Sequence, residues 1–152
     1  MRLSDNQPTS HRDADEDGNT IRLPLVGSIA AGHERFMEED IEEYIETPKS
    51  KLSPADPEKY FYLRVTGDSM TGAYIKDGDI VLIRRSSNPK NGAHVAAMTD
   101  GSTATLKTLV VHKDHVELKP EKLEYPSYEV SITDFKDGTA SILGEVVEVI
   151  KR

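Results

Sequence analysis

The chain has 152 residues, enough for one domain with a real core, and 36% of them are apolar against 30% charged. It contains no Cys, which excludes a disulfide framework, a thiolate nucleophile and a Cys-based zinc site. A net charge of −8 argues against general nucleic-acid binding, which needs a basic face.

The acid sits at the front. Residues 1–59 carry 7 Lys/Arg against 14 Asp/Glu, and residues 60–152 carry 12 against 13. A solvated tail and face is the plain reading of that imbalance. No apolar run approaches the roughly 18 residues of a membrane span, and "MRLSDNQPTS" lacks the apolar core of a signal peptide. A cytoplasmic protein without membrane contact is expected.

Residues 1–20, "MRLSDNQPTSHRDADEDGNT", bury too little apolar surface to offset the entropy of ordering, so a disordered polar arm is expected. Folding is expected to begin at Ile21. "IRLPLVGSIAAGHERF" reads as extended and apolar, with a small-residue break at Ala30-Ala31-Gly32. "MEEDIEEYIETP" reads as a short helix ending before Pro48 or as an irregular acidic loop, and "KSKLSPADPEK" as a loop. Strand-like runs follow at 60–65, 79–85, 93–99, 103–111, 115–120, 128–133 and 141–150. Turn signals such as Asp77-Gly78, Asn91-Gly92 and Lys113-Asp114 separate them. The pattern predicts an all-β domain, sandwich-like or a partly closed barrel. No helix-turn-helix pattern is present, so direct DNA binding is not expected.

"VTGDSM" sets Ser69 on a tight corner after the run "YFYLRV". Most such serines belong to plain turns. A nucleophilic serine needs a base, and His is the usual one. His11, His33, His94, His112 and His115 come in no triad context and match no metal-ligand spacing. Lys107 stands alone in the otherwise uncharged "TATLKTLVV". A lysine on the solvent face of a half-exposed strand explains it on pattern alone. A lysine buried against Ser69 would be a base, because burial lowers its pKa. "AAG" alone reads as a hinge.

Together "VTGDSMTGAYIKDGDIVLIRR", "NGAHVAAMTDGSTATLKTL" and "LGEVVEVIKR" resemble the catalytic domain of the LexA repressor and UmuD family of self-cleaving Ser/Lys peptidases. The resemblance covers residues 23–152. It implies Ser69 as nucleophile, Lys107 as general base and Ala31-Gly32 as the bond cut within the chain. The backbone N–H groups of Ser69 and Met70 are natural oxyanion donors. The expected organisation is an arm (1–20), a cleavage-site segment (21–34) and a β-rich peptidase and dimerisation domain (35–152).

No cofactor or metal is expected. The resemblance also implies activation by a RecA filament on single-stranded DNA during the response to DNA damage, and a homodimer paired through the C-terminal strand "SILGEVVEVI". The short arm resembles UmuD, a partner of an error-prone DNA polymerase, whereas "PLVGSIAAG" looks more like LexA. The competing readings are a non-catalytic β-domain that dimerises or binds a partner, a signal-peptidase relative, and a DNA-binding repressor. The second lacks its membrane anchor here, and the third its recognition helix.

Overall fold

Period-two burial sets the strands, and a computed structural model describes residues 18–27, 40–86, 88–98, 104–136 and 140–151. In β1 (Thr20–Val26), Ile21, Leu23 and Leu25 point inward while Arg22 points out. β3 (Tyr60–Arg64) and β4 (Ile80–Arg85) are buried on both faces over four residues each, as near-continuous apolar runs require. The other strands are β2 (Ile41–Pro48), β5 (His94–Met98), β6 (Ala104–Val111), β7 (His115–Lys119), β8 (Tyr128–Ser131) and β9 (Ser141–Ile150). One short helix, α1 (Ile132–Lys136), follows β8, so the run expected to be strand to residue 133 turns helical at Ile132.

The nine strands of the described residues join one sheet in the order β2-β1-β3-β4-β9-β5-β6-β7-β8. The all-β expectation holds, in the form of this single hydrogen-bonded sheet. Among the described residues only β1 and β3 run parallel, through Leu25–Tyr62 and Val26–Leu63.

Alternation sends the core to both faces. Phe61, Leu63, Val81, Ile83, Ala96, Met98 and Leu106 share one face with Val65, Met70 and Ile75 from the loop after β3. Tyr60, Tyr62, Ile80 and Leu82 turn the other way, onto β1 and Leu52. Val95 and Ala97 likewise turn to a third cluster with Leu109, Val116 and Leu118. The first cluster lies beneath the loop that carries Ser69.

The segment read as helix or acidic loop is strand β2. Glu-rich sequence favours helix locally, but pairing with β1 from Thr20–Pro48 to Val26–Ile41 overrides it. Ile45 packs on the core, and Thr47, fully buried, shares a 2.8 Å hydrogen bond with the Tyr62 hydroxyl. Tyr62→Phe is expected to lower stability by about 1 kcal/mol, the usual net worth of such a bond, read from a denaturant midpoint at unchanged slope. Pro48 ends this edge strand, where a missing N–H is tolerated.

Candidate active site

The turn after β3 is built by backbone geometry. Gly67 has φ +89°, a conformation that favours glycine. Its N–H donates to Asp77 Oδ1 at 2.7 Å. Val65 exchanges two backbone bonds with the 77–79 turn, donating to the Asp79 carbonyl at 2.8 Å and accepting from the Gly78 N–H at 2.9 Å. Met70, 2% exposed, plugs into the core beside Ser69. Ser69 itself is half-buried beside that anchored Met.

Asp77 and Asp79 thus hold the serine turn, a task that reading them as a simple tight turn missed. Asp79 is 3% exposed. Its Oδ2 accepts the Lys76 N–H at 2.8 Å and Lys151 Nζ at 3.0 Å. Nothing in the short "DGD" turn marks that burial in sequence, and its partner Lys151 lies 72 residues away.

On the other side of the groove, Lys107 stands in β6 opposite Val95 of β5. Its Nζ lies 3.2 Å from Ser69 Oγ and 3.1 Å from the Leu106 carbonyl oxygen. It is half-buried, and burial pulls its pKa below the ordinary lysine range. Among the described residues no carboxylate pairs with it. A lysine so placed loses its proton more readily than one in solvent, and when neutral it can accept the Ser69 hydroxyl proton across the same contact.

The pair lines a groove of about 290 Å³ together with Gly27, Thr66, Gly67, Met70 and Ala104–Leu106. Gly27 follows the last residue of β1, and the parallel β1–β3 pairing is what carries it there. The backbone N–H groups of Ser69 and Met70 have no acceptor among the described residues, so both are available to an anionic oxygen.

The remaining candidates separate. His94 opens β5, and His112 and His115 stack on each other at the β6–β7 turn, centroids 4.5 Å apart. None of the three hydrogen-bonds Ser69. No group of three or more potential metal ligands occurs among the described residues, and no helix there is long and apolar enough to cross a membrane. His11, His33, Ala31 and Gly32 lie outside the described residues, as does most of the arm.

An all-β domain with a serine on a strand-end turn, in contact with a half-buried lysine, defines the class of this protein by fold and site. The Peptidase S24-like family model matches residues 24–147. A LexA repressor of Thermotoga sp. (strain RQ2) is 43% identical over 131 residues, 86% of this chain and 62% of that protein. A LexA repressor of Geobacillus thermodenitrificans (strain NG80-2) is 36% identical over 151 residues, 99% of this chain and 67% of that protein. The chain belongs to the Peptidase S24-like family, the LexA/UmuD group that its sequence blocks resemble. It spans 62% of the length of the Thermotoga relative.

Proposed function

We propose that this protein is a self-cleaving regulator of the DNA-damage response that cuts its own Ala31-Gly32 bond with Ser69 and Lys107. The observation that carries this reading is the 3.2 Å contact between Lys107 Nζ and Ser69 Oγ, made by a lysine whose pKa burial lowers. Neutral Lys107 takes the hydroxyl proton as Ser69 Oγ attacks the Ala31 carbonyl carbon. The N–H groups of Ser69 and Met70, without an acceptor among the described residues, receive the oxyanion. The tetrahedral intermediate collapses as Lys107 returns the proton to the leaving nitrogen of Gly32. Water, deprotonated by the same lysine, then attacks the ester and releases Ala31 with a carboxylate, restoring Ser69.

Gly27 in the groove supports cutting in cis. Ala31 lies four positions beyond Gly27, a reach of at most about 14 Å. Tethering supplies a high effective concentration, so a modest nucleophile suffices. On this reading residues 1–20 are an arm, 21–34 present the bond, and 35–152 form the peptidase and dimerisation domain. A RecA filament on single-stranded DNA is the activator the family resemblance suggests. A LexA-like role in transcriptional control fits the relatives' names, and a UmuD-like polymerase accessory role is the second reading that the family resemblance leaves open.

The homodimer reading rests on β9. Its first half is enclosed by β5, but Val146–Ile150 pairs with β4 alone among the described residues. That open half, and not the whole strand, is the edge a second copy would extend.

The test is intact mass against time from neutral to alkaline pH. Products 1–31 and 32–152 are expected, at a rate that rises with pH. The sign follows from the base: only the neutral amine accepts a proton, and its fraction grows as pH passes the lowered lysine pKa. The rate should therefore level off below the pH at which an ordinary exposed lysine titrates. A flat profile with the same products would remove lysine as the base. An unchanged mass, also in the presence of RecA, single-stranded DNA and nucleotide, would favour the non-catalytic β-domain.

A further inference from the structure

The loop between β7 and β8 reaches across to the serine turn. Its Glu121 N–H donates to the Ser69 carbonyl at 2.7 Å, and the Glu121 carbonyl accepts the Gly72 N–H at 2.6 Å. Two residues of the nucleophile loop are thereby pinned by one residue of another loop. Glu121 is itself fixed from below, where its Oε2 accepts the Thr108 hydroxyl at 2.7 Å, from the residue after Lys107.

The same loop grips Asp68. Lys122 Nζ donates to Asp68 Oδ2, and the Tyr125 hydroxyl donates to Oδ1 at 2.6 Å. Both carboxylate oxygens are used. Lys122 first, then Tyr125, hold the Asp68 carboxyl below the usual carboxylate range, so Asp68 keeps its charge where Lys107 titrates. Lys122 also lies 5.7 Å from the centre of the Tyr125 ring, so the two grips brace each other. A cavity of about 490 Å³ opens beside this loop, bordered by Thr71 and Gly72, and the polar contacts add to the hold that buried Met70 gives the turn.

Resting on the Ser69–Lys107 reading, we infer that Lys122 and Tyr125, acting through Asp68, and Glu121, acting through its backbone, are positioning residues that fix the Ser69 turn for attack. Ser69 is linked to β6 twice, directly by Lys107 and indirectly through Glu121 and Thr108. The second link sets where the hydroxyl and the adjacent N–H groups point. A free turn would still place a serine near a lysine, but without a fixed angle to the incoming carbonyl. Sub-ångström drift of that kind lowers the rate without changing which group is the base.

The test uses the full chain with Lys122→Met, Tyr125→Phe and the pair of them. Each is assayed for first-order self-cleavage, for its pH inflection, for labelling of Ser69 by diisopropyl fluorophosphate, and for Tm. Tyr125→Phe keeps the ring and removes only the hydroxyl, so it reads the effect if Lys122→Met fails to fold. The paired variant is expected to cleave about 10- to 100-fold more slowly, to label more slowly by a similar factor, and to keep the wild-type inflection. Lys122→Arg, which keeps a cation beside Asp68, should recover most of the rate.

Slowed cleavage with unchanged labelling would overturn the inference, because the loop would then act on docking of the scissile segment and not on Ser69. Wild-type rates in all folded variants would overturn it while leaving the dyad standing. A wild-type protein neither cut nor labelled at any pH would remove the dyad and the inference together.

Discussion

Lys107→Ala is expected to slow self-cleavage by about 10²- to 10⁴-fold, the usual contribution of a positioned general base. Lys107→Arg should be as slow, and this variant carries the argument. Arg keeps the positive charge and most of the length, but it is not deprotonated in proteins. A rate near wild type in Lys107→Arg would mean that the cation, and not the free amine, supports the reaction. Far-ultraviolet circular dichroism should stay unchanged in both, because Lys107 is only half-buried and has no carboxylate partner among the described residues.

Gly144→Ala is expected to cost about 3 kcal/mol, a fall in Tm of roughly 10 °C. A Cβ at this position would stand 2.3 Å from the Arg84 carbonyl oxygen, 2.9 Å from its carbon and 2.7 Å from Ile83 Cγ2. The first two are backbone atoms of a central strand and have no rotamer to escape into. Gly144 is also where β9 touches both neighbours, Arg85 of β4 and Ala96 of β5. The β5 ladder shifts register next to it, between Ala96 and Ala97.

The consequence reaches the site. β3, which leads into Ser69, lies on one side of β9, and β6, which carries Lys107, lies on the other. Forcing β4 and β9 apart at Gly144 moves the serine relative to the lysine. Gly144→Ala should therefore cleave more slowly even at temperatures well below its own Tm. A variant that loses stability but cuts at the wild-type rate when folded would show that the two halves of the sheet adjust independently.

Much of this fold is legible from residue patterns. Runs such as "DIVLIRR" and "HVELKP" declare themselves as strands because short apolar stretches between Gly, Pro and Asn turns have few other solutions. β2 does not, because its Ile41, Tyr44 and Ile45 are spaced among glutamates in a way that also suits a helix. What decides it is partnership with β1, a contact across the acidic segment that no local window contains. β9 shows the opposite failure. Its length and apolarity suggest an edge, yet half of it is interior, since an apolar strand reads alike in either place.

The site divides in the same manner. Ser69 and Lys107 stand out by motif and by oddity, a serine on a Gly-Asp corner and a charge amid apolar neighbours. Their contact is a property of the sheet, 38 residues apart along the chain. Asp79, Glu121, Lys122 and Tyr125 carry no such mark. Each is an ordinary polar residue in a turn or loop until the fold brings it to the serine from as far as 57 positions away.

The place of β9 also sets a timetable. Strands β3 and β6 have no pairing with each other; β4, β9 and β5 stand between them, and β9 is made after all of the other strands. A ribosome that has synthesised Ser69 and Lys107 has still not supplied the strand that joins their two halves of the sheet. On the proposed reading, self-cleavage waits on β9, so a chain that ends before Ser141 is expected to carry Ser69 and Lys107 without the strand that joins their two halves of the sheet.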